Sequence, residues 1–255
     1  MGVFVAKRIA AGYSKIPIID AVSLEAEAGT VVAVVGPNGA GKSTMLKAFF
    51  GLLRPMAGRV QVAGEDITGL PPHQVVRRGM AYVPQVNNVF PSMSIIENLE
   101  MGGYIRQDDL KPRIKEVLDI FPDLAAAADR KAGTLSGGQR NMLGVARALM
   151  LNPKVLLLDE PTAGLSPVYT TRVWQQVRSI ASGGTAVVVV EQNVDLAVQN
   201  ATWVYVLVAG RNRLDGPAGD VGKEDLRAMF LGGEGGRREV RDRADHSDGG
   251  NFVPL

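Results

Sequence analysis

Nine residues, Gly36 to Thr44, read GPNGAGKST and have the types and spacing of a phosphate cradle. Glycines at 36, 39 and 41 let the backbone curl so that its N–H groups point inward at phosphate oxygens. Lys42 is placed to reach the β- and γ-phosphates, and the Ser43 hydroxyl to ligate Mg²⁺; Pro37, Asn38, Ala40 and Thr44 complete the loop. The competing reading is a glycine-rich turn with a chance lysine, but an apolar run precedes the loop and a helix pattern follows it. A second constellation is Asp159-Glu160, at the end of the apolar run Val155–Leu158. Ligands of open α/β sheets bind at the carboxyl ends of strands. Asp159 would there hold the Mg²⁺ shell, and Glu160 could orient and deprotonate an attacking water. Alone, the two carboxylates could also cap a helix beginning near Ser166. Beside the loop they read as a site that binds and hydrolyses a nucleotide.

Leu135-Ser136-Gly137-Gly138-Gln139 adds a second serine and glycine pair at a helix start, which again suits a phosphate on the helix dipole. Standing alone it would be an N-cap followed by flexible glycines. With one cradle already present, a second is useful if it faces the nucleotide of another molecule.

The elements that must position these groups follow from the hydrophobic pattern. Val31–Val35, Val155–Leu158 and Ala186–Val190 are short apolar runs that alternate with helix-length segments at about Lys42–Gly51, Pro167–Ala181 and Val194–Gln199. That is the pattern of a parallel sheet covered on both faces. Val3–Ile9, Ile18–Ala26 and Arg59–Ala63 alternate as antiparallel strands do, and Met80–Val83 reads as a further strand. From about Asn88 to Met150 the candidates are helical: Ser94–Met101, Leu110–Phe121 and Gly138–Met150. The expected fold is α/β, with an N-terminal antiparallel β subdomain and an α-helical subdomain inserted at about 88–150. Residues 1–231 read as one ATPase domain. Residues 232–255, with six glycines and nine charged residues, read as a disordered tail.

Composition narrows the classes. The 255 residues include 28 Lys plus Arg against 26 Asp plus Glu, a balance too even to argue for nucleic acid or an anionic membrane by charge. Cysteine is absent, which excludes disulfides, thiolate metal sites and a cysteine nucleophile. Aromatic residues at 5% give little for base-stacking platforms. No run approaches the roughly 18 apolar residues of a membrane span. Lys7 and Arg8 interrupt the first apolar run, and Ala6 stands where a myristoylation signal wants Ser or Thr. The expectation is a soluble intracellular protein.

GPNGAGKST, LSGGQ and VLLLDE, in that order, resemble the ATP-binding cassette (ABC) family over about residues 3 to 231. The resemblance implies a P-loop NTPase of the ABC cassette type, with ATP and Mg²⁺ as its ligands. It also implies a head-to-tail dimer holding each ATP between one subunit's phosphate loop and the other's Ser136–Gln139. By the same resemblance Tyr13 stacks on adenine, and Gln85 contacts Mg²⁺ and the attacking water and touches a transmembrane partner. Two positions depart from the family pattern. Gln192, in Glu191-Gln192-Asn193, stands in the slot of the switch histidine; its amide can donate a hydrogen bond but cannot become a cation. Ser166 stands where an aspartate usually follows the leucine. His73 and His246 are not obvious substitutes for the histidine.

YVPQ, Asn88–Tyr104, VEQN and the GLSP loop are similar to the shorter ATPase subunit of branched-chain (hydrophobic) amino-acid importers. That likeness implies a place on the cytoplasmic face of the membrane beneath two permease subunits, paired with a second ABC ATPase. An extracytoplasmic binding protein would supply the cargo, and no nucleic acid is involved. The segment from Gln85 to about Arg106 would grip a permease helix, with Val89, Phe90, Met93, Ile95 and Ile96 facing it or packing in the core. The alternatives are an importer of urea or amides and a soluble cassette ATPase. Soluble relatives often carry tandem cassettes or a long coiled-coil insertion, which the sequence lacks. A phosphate-loop kinase would leave LSGGQ without a role.

Overall fold

The computed structural model describes residues 2–221, in two sheets and a set of helices. Chain order is β1 (Phe4–Ala11), β2 (Ile19–Ala26), β3 (Val31–Val35), α1 (Lys42–Phe49), β4 (Ala57–Val62), β5 (Glu65–Asp66), α2 (Pro72–Arg77) and β6 (Met80–Val83). Then follow α3 (Ile95–Gly102), α4 (Leu110–Ile120), α5 (Pro122–Ala125), a 3₁₀ turn (Ala132–Thr134) and α6 (Gly137–Leu149). The last elements are β7 (Val155–Asp159), α7 (Pro167–Ser182), β8 (Ala186–Glu191), α8 (Val194–Asn200), β9 (Trp203–Val208) and β10 (Arg211–Pro217).

The first sheet is antiparallel, in the order β2-β1-β4-β5. The second runs β10-β9-β3-β8-β7-β6, parallel throughout except for β10. The apolar runs form its centre because both of their faces are covered, and period-two alternation sorts their side chains. On β7, Val155 and Leu157 join the core shared with α1 and the antiparallel sheet, while Leu156 and Leu158 join the core under α3, α6 and α7. Val188 and Val190 of β8 go to the first core, and Val187 and Val189 to the second. Phe4 packs on Phe49 of α1 with ring centroids 5.3 Å apart, which fastens the antiparallel sheet to the phosphate-loop helix.

Between β6 and β7 the chain is helical, with only an isolated bridge from Ser94 to Lys131. Each long helix there begins at a side-chain cap: Ser94 with Glu97 for α3, Asp109 for α4 and Ser136 with Gln139 for α6. Such caps satisfy amide groups that would otherwise lack partners. Asn98 ties this region down: it is fully buried, its Oδ1 accepts from Phe90 N, and its Nδ2 donates to the carbonyls of Phe90 and Ser94.

The observed elements differ from the expected ones at several edges. The strand expected at Arg59–Ala63 is Ala57–Val62, because Ala63 turns out of it with φ +49°. The first core helix ends at Phe49 and not at Gly51, which has φ +80° and leads away from it. β5, α2, α5, β9 and β10 were not anticipated. The expected tail, 232–255, and the end of the expected domain lie outside the described residues.

Candidate functional site

Parallel register brings four chain segments to one edge. Val35 of β3 pairs with Glu191 of β8, Val190 with Asp159 of β7, and Leu158 with Val83 of β6. One or two residues past these pairs stand Gly36, Gln192, Glu160 and Gln85. Positions far apart in sequence are thus delivered side by side by strand pairing alone.

The phosphate loop connects β3 to α1. Gly36 cannot be replaced without backbone movement, since a Cβ there would lie 2.2 Å from the Leu207 carbonyl oxygen. Gly41 has φ +98°, in the left-handed region that favours glycine, and serves as the N-cap of α1. That helix has no side-chain cap and no acidic residue in its first turn. Its leading N–H groups and positive dipole end are therefore left for an anion. Ala40 is buried against the fold, its carbonyl accepting from Gly210 N, whereas Asn38 and Gly39 are exposed. Lys42 is 5% exposed, and its Nζ donates to the carbonyls of Gly36 (2.8 Å) and Pro37 (3.2 Å). Burial holds its ammonium below the usual lysine range against the opposing pull of Glu160, Asp159 and Glu191. The cation lies folded over the cradle, bonded to neutral carbonyls that phosphate oxygens can outcompete.

Ser43 Oγ donates to Asp159 Oδ1 at 3.0 Å, so two hard oxygen groups stand together at the start of α1 and the end of β7. The other Asp159 oxygen, Oδ2, accepts from the Tyr82 hydroxyl at 3.1 Å. Burial first, and the adjacent Asp159 charge second, push the Tyr82 phenol up, so it stays protonated and donates. Among the described residues no cluster of three His, Cys, Asp or Glu could cage a metal. A serine and one aspartate fit Mg²⁺ of the kind that takes its remaining ligands from water and phosphates.

Glu160 is the centre of the site. Its side chain is largely buried, and Oε2 accepts from both Gln192 Nε2 (2.6 Å) and Gln85 Nε2 (3.0 Å). Oε1 lies 3.9 Å from Lys42 Nζ. Both glutamines singled out in the sequence thus converge on the proposed base. The carboxylate stands beside a cation and two amide donors, and among the described residues no hydrogen bond is donated to Oε1. That oxygen can accept a proton from water.

Tyr13 is 63% exposed, with Lys47 of α1 donating from Nζ to its hydroxyl at 3.3 Å and lying 5.8 Å from the ring centroid. Such exposure leaves ring surface available to a planar base. Ser136 and Gln139 are engaged with each other at the head of α6: Ser136 Oγ accepts from Gln139 N, and Gln139 Oε1 accepts from Ser136 N. Because that hydroxyl is used as an acceptor, its proton can still be donated. Gly138 is packed under Tyr169, where a Cβ would lie 2.6 Å from the ring, while Gly137 faces open space. Among the described residues no hydrogen bond links Ser136–Gln139 to the Gly36–Thr44 loop. Ser166 is the N-cap residue of α7 but makes no capping bond.

Several participants were not read from the sequence. Tyr82 was not anticipated as a partner of Asp159. Glu191 is a third buried carboxylate at the sheet edge, accepting from Thr162 Oγ1 at 2.7 Å. Asn88 donates to Asn141 Oδ1, and Asn141 donates to the Pro161 carbonyl, linking the Gln85 segment through α6 to the turn after Glu160. A sequence signal existed for Glu191: it closes the apolar run Ala186–Val190 as Asp159 closes Val155–Leu158. A separate cavity of about 570 Å³, between β1–β2 and β9–β10, includes Trp203, Tyr205 and Arg211 in its lining and shares no residue with this site.

The ABC transporter family model matches residues 19–163. The probable branched-chain amino acid transport ATP-binding protein LivF of Archaeoglobus fulgidus is 42% identical over 216 residues, covering 84% of this chain and 92% of LivF. The lipopolysaccharide export system ATP-binding protein LptB of Haemophilus influenzae is 31% identical over 237 residues, covering 91% of this chain and 98% of LptB. A solved ADP conformation of an ATP-binding cassette of an ABC transporter is similar in fold, with TM-score 0.80 and 27% identity, covering 91% of this chain and 95% of that one.

Proposed function

The chain belongs to the ABC transporter family and is an ABC ATPase, and from that membership we propose that it powers an importer of branched-chain amino acids. The observation that carries the hydrolytic reading is the convergence of Gln85, Gln192 and Lys42 on Glu160, beside the Ser43–Asp159 pair.

In this reading the Gly36–Gly41 backbone and the head of α1 bind the phosphates of ATP. Lys42 exchanges the Gly36 and Pro37 carbonyls for β- and γ-phosphate oxygens. Ser43 and Asp159 would hold Mg²⁺, which when bound neutralises charge on those phosphates. Gln85 and Gln192 orient the Glu160 carboxylate, which takes a proton from water as the water oxygen bonds to the γ-phosphorus. The bond from that phosphorus to the bridging oxygen breaks, and ADP leaves with the electron pair. Gln192 supplies an amide where a cation could have stood, so charge stabilisation at this point is weaker. Tyr13 stacks on the base, and Ser136–Gln139 serve the nucleotide of a second cassette, since among the described residues no hydrogen bond joins them to their own loop.

No helix among the described residues is long and apolar enough to cross a membrane. The proposed partners are two permease subunits, a second ABC ATPase and, indirectly, an extracytoplasmic binding protein, with this subunit on the cytoplasmic face. The import reading is favoured over lipopolysaccharide export because LivF is 42% identical and LptB 31%. The test is a tagged pull-down from mildly solubilised native membranes with mass spectrometry of the recovered chains. Two polytopic permeases and a second cassette, with an amino-acid-binding protein in the same assembly or operon, support the proposal. Recovery with export components, or only in the soluble fraction, overturns it.

A further inference from the structure

Glu191 is 2% exposed at the end of β8, and among the described residues no cation lies within salt-bridge distance of it, although its charge acts on Lys42. A buried carboxylate is costly unless hydrogen bonds hold it. Here the Thr162 hydroxyl donates to Oε1 at 2.7 Å, and the backbone N–H groups of Thr162 and Gln192 also donate to the carboxylate. Those donors come from the two segments that make the hydrolytic centre: Thr162 lies two residues after Glu160, and Gln192 follows Glu191 directly. Glu160 itself has φ +49°, a left-handed conformation unfavourable for a residue with a side chain. Such strain persists only where the surroundings fix it. Around Glu160 they are two backbone bonds, Glu160 N to Val190 O (3.0 Å) and Ala163 N to Glu160 O (3.1 Å), and the Thr162–Glu191 pair just beyond.

We propose that Glu191 is a positioning residue for hydrolysis, its carboxylate clamping Thr162 and the Gln192 backbone so that the Glu160 and Gln192 side chains meet. It touches no substrate. It acts by holding the turn after Glu160 and the residue that supplies the Gln192 amide, so its loss misdirects the base without emptying the phosphate cradle. This inference rests on Glu160 being the base.

The test compares Thr162→Val, Thr162→Ser, Glu191→Leu and Glu191→Gln with the wild type, with Glu160→Gln run in parallel. The readouts are kcat and KM for ATP and the binding of a fluorescent ATP analogue, on proteins whose circular dichroism matches the wild type. Thr162→Val is expected to lower kcat at least tenfold with KM within threefold. Thr162→Ser, which keeps the hydroxyl, is expected to recover at least half of the wild-type kcat. Glu191→Gln keeps an acceptor for Thr162 and should exceed Glu191→Leu in kcat. Equal kcat for the valine and serine variants overturns the clamp even if Glu191→Leu fails to fold. Parallel losses in kcat and analogue binding also overturn it, because the role would then be general packing. Wild-type turnover in Glu160→Gln refutes the site assignment instead, so the two failures are distinguishable.

Discussion

Replacing Gln192 with alanine removes the 2.6 Å bond from its amide to Glu160 Oε2. A hydrogen bond to a charged group contributes about 1.5–3 kcal/mol, and each 1.36 kcal/mol of barrier is about tenfold in rate. If the full amount fell on the transition state, turnover would drop by about 10- to 150-fold. Glu160 retains Gln85 at 3.0 Å and Lys42 at 3.9 Å, so its carboxylate is loosened but not released. The lower part of the range, about 10- to 30-fold, is therefore expected. The phosphate cradle is untouched, and KM for ATP should stay within about threefold, as for an interaction confined to the reacting centre. Gln192→His keeps an N–H donor at the same position and should remain active, within about fivefold of the wild type. The assay is steady-state phosphate release at saturating ATP, with separate measurement of nucleotide binding. Alanine turnover equal to wild type would show that the bond orients nothing. A folded but inactive histidine variant would show that the glutamine has a role other than donating.

Three further outcomes follow from the geometry. Gly36→Ala would force a Cβ to 2.2 Å from the Leu207 carbonyl; nucleotide binding should be lost or the melting temperature lowered by several degrees, whereas retention of both would contradict the fit at that turn. Tyr13→Ala removes a stacking surface worth about 1–3 kcal/mol per base, so the affinity for ATP should fall about 5- to 150-fold in a titration, and an unchanged affinity would remove Tyr13 from the base site. Burial raises the Glu191 carboxyl above its ordinary value of 4.5, with Glu160 adding to the rise and Thr162 and Gln192 opposing it. Between pH 4.5 and the raised value the folded state binds more protons than the unfolded one, so stability falls as pH rises through that window. The denaturant stability of Glu191→Gln, which lacks this ionisation, should therefore improve relative to wild type as pH increases above 4.5; a difference flat in pH would contradict the burial of an ionised carboxylate.

What could be read from the sequence followed the range of the interactions involved. The phosphate loop is local, with cradle, preceding strand and following helix contiguous, so its residues and boundaries were legible directly. Strands β3, β7 and β8 were legible because they are covered on both faces and are apolar up to the carboxylates that end β7 and β8. By contrast β10, RNRLDGP, is an edge strand whose residues are exposed or half-buried except at Gly216, and no apolar pattern marks it. Its neighbour β9, WVYVLV, carries the half-buried Trp203 and Tyr205 among its buried valines and leucine. The meeting of Gln85, Glu160 and Gln192 depends on parallel register between segments 75 and 32 residues apart. Only the family resemblance pointed to those glutamines. Tyr82 and Glu191 stand inside YVPQ and VEQN, but those motifs assign neither a partner, and their contacts with Asp159 and Thr162 arise from side chains crossing between neighbouring segments.

The most direct measurement is on Glu160→Gln, mixed with Mg²⁺ and ATP labelled at the γ-phosphate, following bound nucleotide and released phosphate on the same sample. The substitution leaves the Gly36–Thr44 cradle in place and removes the proton acceptor, a function worth about 10²- to 10⁴-fold in rate. The predicted result is ATP retained uncleaved at near wild-type affinity, with phosphate release at least about 100-fold slower than in the wild type. Phosphate release at the wild-type rate would contradict the assignment of Glu160 as the base on which the hydrolytic account rests.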